Sequence, residues 1–143
     1  MKYYLILIIF TVCCFAGCTP QQGVPTEFSK ACSFENEKKY LEISGYLSPG
    51  SAVYCSNRSG RMDCSYDFRE TPTGAKRIGA DLEAGTGANT AEEIKSSYTT
   101  KDIKIRDNNS QLINLAEKVK LTGQMSITPD GSVCFMKVTK IEK

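Results

Sequence analysis

The chain contains no histidine. That removes the commonest general base and metal ligand, and with it the Ser-His and Cys-His nucleophile arrangements. The seven cysteines do not form the close pairs of a zinc site or a thioredoxin-like redox motif. Neither sign of charge is in surplus: 18 Lys and Arg stand against 16 Asp and Glu, interspersed along the chain, which gives little support for a nucleic-acid partner. Internal repeats, low-complexity tracts and a second linker are also missing. The one long apolar run, Leu5 to Phe15, is too short to span a bilayer comfortably, since a membrane helix needs ~20 apolar residues. Asp107-Asn108-Asn109-Ser110 offers oxygen ligands but lacks the glycine and distal glutamate of a calcium loop, so it reads as a polar turn. Ala84-Gly85-Thr86-Gly87-Ala88-Asn89-Thr90 lacks the phosphate-loop lysine and the dinucleotide pattern, so it reads as a mobile loop ahead of a helix. No metal, cofactor or catalytic set is expected, because no spacing of Asp and Glu singles out an acid–base pair.

What is present is strand-type alternation. From Tyr40, the residues Leu41, Ile43, Gly45 and Leu47 fall on one face, and Tyr40, Glu42, Ser44 and Tyr46 on the other. Lys118 to Ile127 repeats this, with Val119, Leu121, Gly123, Met125 and Ile127 inward. Ile78, Ala80 and Leu82 alternate with Arg77, Gly79 and Asp81. Asp102 to Arg106 and Val133 to Ile141 add two more strands, and Thr128-Pro129-Asp130-Gly131 is a turn before the last. Thr90-Ala91-Glu92-Glu93 has the spacing of a capping box and predicts a helix with Ala91, Ile94 and Tyr98 on one face. A weaker helical signal begins at Thr26, with Phe28, Ala31 and Cys32 on one side.

A two-residue loop at Ser59-Gly60 sets Cys55 opposite Cys64 at a non-hydrogen-bonded pair, where side chains approach most closely. The same register sets Arg58 against Arg61, which is mildly unfavourable. With Cys55 and Cys64 joined, Cys32 pairs with Cys134 by elimination. Four cysteines permit three connectivities, and sequence alone does not choose among them.

The N-terminus reads in three parts: Lys2 is the positive end, Leu5 to Phe15 the apolar segment, and Ala16-Gly17 the small residues before Cys18. The run Phe15-Ala16-Gly17-Cys18 resembles the signal of bacterial lipoproteins, with Phe15 where leucine is usual. That resemblance implies a signal peptide over residues 1–17, cleavage before Cys18, and a diacylglycerol and a further acyl chain such as palmitate on Cys18. It implies a membrane-anchored protein of the bacterial cell envelope, on the periplasmic or outer side. Cysteine parity agrees: cleavage discards Cys13 and Cys14 and leaves five thiols, of which Cys18 is the odd one. Loss of Lys2 leaves a charge of about +1. Residues 18–25 read as the lipidated cysteine and a flexible Pro- and Gly-punctuated tether, and residues 26–143 as one domain.

Three strands, a helix and two closing strands resemble the element order of an OB-fold, over most of Tyr40 to Ile141. The expected class is mainly β, a small closed or partly open barrel with one short helix; another small barrel or a β-sandwich fits the same order. Strand parity turns Tyr40, Tyr46 and Tyr54 outward, which on such a barrel makes them candidate partner-binding residues. The expected function is a non-enzymatic, lipid-anchored module that binds an envelope protein or glycan and no nucleic acid. The alternative is an inhibitor or protective factor acting on a hostile enzyme such as a lysozyme, through the loops Ala84 to Asn89 or Asn57 to Met62.

Overall fold

The computed structural model describes residues 21–58 and 60–143. The segment expected to be a signal peptide, Cys18 and the start of the expected tether lie outside the described residues. Ten strands form one sheet: β1 (Val24–Pro25), β2 (Tyr40–Ser48), β3 (Tyr54–Arg58), β4 (Arg61–Arg69), β5 (Arg77–Ala84), β6 (Thr90–Ala91), β7 (Ile105–Arg106), β8 (Leu112–Ile113), β9 (Val119–Ile127) and β10 (Cys134–Glu142). Five of them close a barrel. Its circuit is β2, β4, β5, β10, β9 and back to β2, antiparallel throughout except for the parallel β5–β10 seam. The protein is thus a mainly β, OB-like barrel, with β2 serving two neighbours and the third and fifth barrel strands side by side.

The period of two carries directly into packing. Leu41, Ile43 and Leu47 of β2, Ile78, Ala80 and Leu82 of β5, and Val119, Leu121, Met125 and Ile127 of β9 are all buried in one core. Their polar alternates face away from it and are at least partly exposed, except Thr122, which is buried. β2 bends at Gly45, where it passes from pairing with β9 (Tyr40 to Gly45) to pairing with β4 (Tyr46 to Ser48). A Cβ on Gly45 would sit 2.9 Å from the Phe68 ring carbon Cζ, and closer still to the Arg69 carbonyl. Only glycine lets the two strands approach this way. Phe28, in a 3-10 turn at Phe28–Lys30, packs on Phe68 with ring centroids 5.6 Å apart and caps the core. The signal beginning at Thr26 thus yields one tight turn with Phe28 and Ala31 buried.

Two disulfides staple the domain: Cys55 to Cys64, nine residues apart, and Cys32 to Cys134, 102 apart. The β3–β4 register is the one expected, from Cys55 opposite Cys64 out to Arg58 opposite Arg61. The Cα atoms of the Cys55–Cys64 pair lie only 4.0 Å apart, as a non-hydrogen-bonded pair requires. The Arg58–Arg61 repulsion is offset by acids of β4 and β5, since Arg58 reaches Asp81 at 3.6 Å and Arg61 reaches Asp63 and Glu83, each at 3.4 Å. The expected turn before β10 also forms: Gly131 takes φ +69° and its N–H donates to the Thr128 carbonyl at 2.8 Å.

Three expectations are corrected. No α-helix starts at Thr90; Thr90–Ala91 is a strand paired in parallel with Glu83 and Ala84 of β5. The backbone there is taken up by long-range partners, Gly85 N–H donating to the Ala91 carbonyl and Glu92 N–H to the Lys104 carbonyl, both at 2.8 Å. Tertiary pairing overrides the local cap signal. Ala91, Ile94 and Tyr98 still pack on the core, along an extended path. The Asp102 to Arg106 strand is reduced to Ile105–Arg106, because Thr100–Asp102 is a 3-10 turn in which the Asp102 carboxylate accepts from the Thr99 N–H and hydroxyl. Finally, Val24–Pro25, expected in the tether, pair with Leu41 and Glu42 of β2.

Among the described residues no helix is long and apolar enough to cross a membrane. Gly45→Ala is expected to destabilise the domain by about 1–3 kcal/mol through overpacking, measured by urea unfolding. Replacing Cys55 and Cys64 together by alanine should cost about 2–3 kcal/mol, and the Cys32/Cys134 pair about 4–5, because the second closes the longer loop; the reverse order would mean the long loop is already restricted in the unfolded chain.

Candidate binding cleft

The three outward tyrosines have the expected parity but do not converge. Tyr40, Gln124, Lys137, Asp81, Ser65 and Tyr54 pair in succession across six strands. Tyr40 and Tyr54 are therefore the two ends of one row around the barrel. Tyr46 is half-buried opposite Arg69 on the β2–β4 seam. Of the three, only Tyr54, 71% exposed on the edge strand β3, borders a broad concavity on the outer face.

That concavity is a cleft of about 780 Å³ over the outer face of β4, β5 and the start of β10. Its floor follows from one long-range pairing. Phe135 of β10 pairs with Gly79 of β5, and the aromatic ring lies where a Cβ on Gly79 would be. Glycine here makes a seat for the ring. Phe135 remains 38% exposed, so with Tyr54 and Val133 it forms an apolar shelf open to solvent. One wall is the loop from β2 to β3, with Ser51 and Ala52; the other is the loop from β9 to β10, with Gly131 and Ser132. The Cys32–Cys134 disulfide borders the cleft and ties that second wall to the N-terminal segment.

The charges around the shelf are unequal. Arg58, Lys76 and Arg77 line it with one acid, Asp67, and Arg58 is paired with a second, Asp81, at 3.6 Å. Asp67 is already engaged, with Arg69 Nη2 at 2.7 Å and Arg77 Nη1 at 3.0 Å. Lys76 makes no ion pair among the described residues. Tyr66 faces inward from β4 and is 2% exposed in the barrel core, and its Oη has no hydrogen-bond partner among the described residues. Burial, reinforced by the neighbouring Tyr98, pushes its phenol well above the ordinary tyrosine range. It therefore stays a protonated donor at neutral pH.

The two candidate loops of the inhibitor alternative, Ala84 to Asn89 and Asn57 to Met62, make contacts back to the barrel. At the Asn57 to Met62 tip, both arginines are in ion pairs and Gly60 N–H donates to Asn57 Oδ1 at 3.0 Å. In the 85–89 loop, Asn89 donates its N–H to the Asp107 carbonyl at 3.0 Å and accepts from Ile141 N–H at 2.8 Å. The polar turn at Asp107 forms as expected, its carboxylate accepting from Asn109 and Gln111 N–H. Among the described residues no group of three or more His, Cys, Asp or Glu is placed to hold a metal ion.

Compared with known proteins, the chain matches no family model, no curated protein and no solved structure. Function has to be argued from the cleft itself.

The wall of that cleft carries a titratable latch. Asp130 accepts from the Thr128 hydroxyl at 2.5 Å and from the Ser132 N–H and hydroxyl at 3.1 and 2.8 Å. These bonds, the Thr128 hydroxyl first, lower its carboxyl from the ordinary 3.8 to about 2. A depressed folded-state value means the turn is stabilised above about pH 4, and that this contribution is lost as pH falls toward about 2. The Ser132 amide resonance is expected to titrate with a midpoint of about 2 and to become pH-independent in Asp130→Asn; a midpoint at the ordinary carboxylate value would show that Asp130 is free in solution.

Proposed function

We propose that this chain is a lipid-anchored, non-enzymatic binding module of the bacterial cell envelope, held by acyl chains on Cys18 and presenting the β4–β5–β10 cleft to an envelope partner. The observation that carries the reading is the fate of the cysteines. Four of the five that follow the signal segment are consumed in two disulfides, leaving Cys18 at the end of Phe15-Ala16-Gly17-Cys18 as the single thiol to be modified. Disulfides of this kind suit an oxidising compartment outside the cytoplasm. Two acyl chains on one cysteine supply the two membrane signals that stable anchoring takes.

The binding role rests on the cleft: concave, part aromatic and part polar, within the size range of ligand sites. A single engaged acid offers no paired carboxylates for general acid–base work. The inhibitor reading gains nothing from the loop geometry, because the charged tip residues Arg58 and Arg61 already serve acids of their own barrel.

The test is intact mass of protein extracted from its native membrane, before and after reduction and alkylation, beside a Cys18→Ser variant. The expected outcome is an added mass of acyl-chain size that disappears in the variant, with four cysteines alkylated only after reduction. An unmodified Cys18 would remove the anchor and leave a secreted barrel.

A further inference from the structure

We infer that the barrel pairs with a second copy of itself along the free edge of β3, in a two-fold antiparallel strand pair centred on Ser56. Among the described residues β3 pairs only with β4. Cys55 and Asn57 stand at non-hydrogen-bonded pairs with β4, so their N–H and C=O groups point the other way, off the sheet. Val53, next in the same phase, marks that direction: its N–H donates to the Tyr98 hydroxyl at 2.7 Å. No described group takes up the backbone of Cys55 or Asn57 on this side. The edge is also not blunted in the usual ways. It has no proline and no bulge against β4, and its one charge, Arg58, is spent on Asp81 of its own barrel. Edges left this open are templates for pairing with another chain. The Cys55–Cys64 bond already fixes the strand in place, so little further ordering is needed on association.

The register singles out a second copy as the partner. Antiparallel strands exchange hydrogen bonds only where outward-turned residues face each other. With Cys55 opposite Asn57 of the second copy, and Asn57 opposite its Cys55, both facing pairs exchange their N–H and C=O bonds about a two-fold axis at Ser56. Sliding the pair one way requires the Val53 N–H, which Tyr98 holds; sliding it the other way runs past Arg58 into the hairpin loop. In the centred register Tyr54, 71% exposed, faces Arg58 of the second copy at a non-hydrogen-bonded pair, close enough for its ring to cover the arginine methylenes. The two arginines stand at opposite ends, about 13 Å apart along the strands, each beside its own Asp81. A foreign strand would protect one edge, whereas this isologous pair closes both edges at once and stops there. So short an interface lies at the weak end of the range. Acyl chains on Cys18 would offset that by holding copies in one bilayer and raising their effective concentration, but the pairing does not depend on that reading of Cys18.

Sedimentation of the full-length protein in density-matched detergent micelles tests this. A reversible monomer–dimer equilibrium is expected. Ser56→Lys, at an exposed position, sets two like charges face to face on the axis and should raise the dimer dissociation constant at least about tenfold without moving the melting temperature. In membranes treated with a mild thiol oxidant such as diamide, Ser56→Cys should give a dimer joined through the introduced thiol at position 56, mapped by peptide mass. Ser44→Cys, exposed on β2, should not. A monomer at every concentration, a dimer that Ser56→Lys leaves intact, or cross-linking from position 44 as readily as from position 56 would each overturn the inference. Capture of a different protein at position 56, with no dimer, would give the edge to a foreign strand and overturn it as well. The anchor is read separately by intact mass, so a lipidated monomer keeps the envelope assignment and loses the dimer.

Discussion

The double pairing of β2 is the constraint on which the rest of the molecule depends. A nine-residue strand hydrogen-bonds β9 along its first part and β4 along its last, and the change of partner falls at Gly45. Without that bend β2 would keep only one of its two partners, and the sheet would stay open along the β2–β4 seam. With it, the parallel β5–β10 seam closes the circuit and the apolar alternates of five strands meet in one interior. The cleft is a by-product of the same closure, since Phe135 reaches Gly79 only because β10 returns beside β5.

Much of this was legible in the sequence, and the reasons differ by element. Side-chain parity was readable because a strand has a fixed period of two, so Leu41, Ile78 and Val119 could be placed inward without knowing what they pack against. The β3–β4 register followed from a two-residue loop, and the Cys55–Cys64 bond followed from that register. The Thr90 segment was misread because a capping box is a local pattern, whereas its backbone groups are claimed by β5 and by Lys104. Parity also assigns a side and never a position around the barrel. It put Tyr40, Tyr46 and Tyr54 outside correctly and could not reveal that five strand-to-strand steps separate Tyr40 from Tyr54. Phe135, Val133 and Lys76 were missed for the same reason, since they become neighbours of Tyr54 only through the parallel seam. The one available signal was Gly79, a glycine among strand residues, which often marks close approach by another group.

The hairpin tip shows how an unfavourable local pair can be tolerated by its surroundings. Arg58 facing Arg61 argues against the register it belongs to. Asp81 and Glu83 of β5, with Asp63 on β4 itself, supply acids on the same outer face. These are exposed or half-exposed ion pairs, each worth a few tenths of a kcal/mol to about one. Their role is to cancel a repulsion of similar size, and the short disulfide three pairs further in holds the register.

The 102-residue separation of Cys32 and Cys134 bears on how the protein is made. A chain synthesised amino end first presents Cys32, then Cys55 and Cys64, long before Cys134. During that interval Cys32 has only wrong partners. Cys55 and Cys64, nine residues apart and adjacent in a hairpin that needs no distant strand, can consume one another early and so remove two wrong partners from Cys32 before the final strand arrives. The short bond thus acts as a chaperone for the long one. Its removal would have a second cost besides lost stability: newly made chains trapped by mispaired thiols, dependent on exchange catalysts to be recovered.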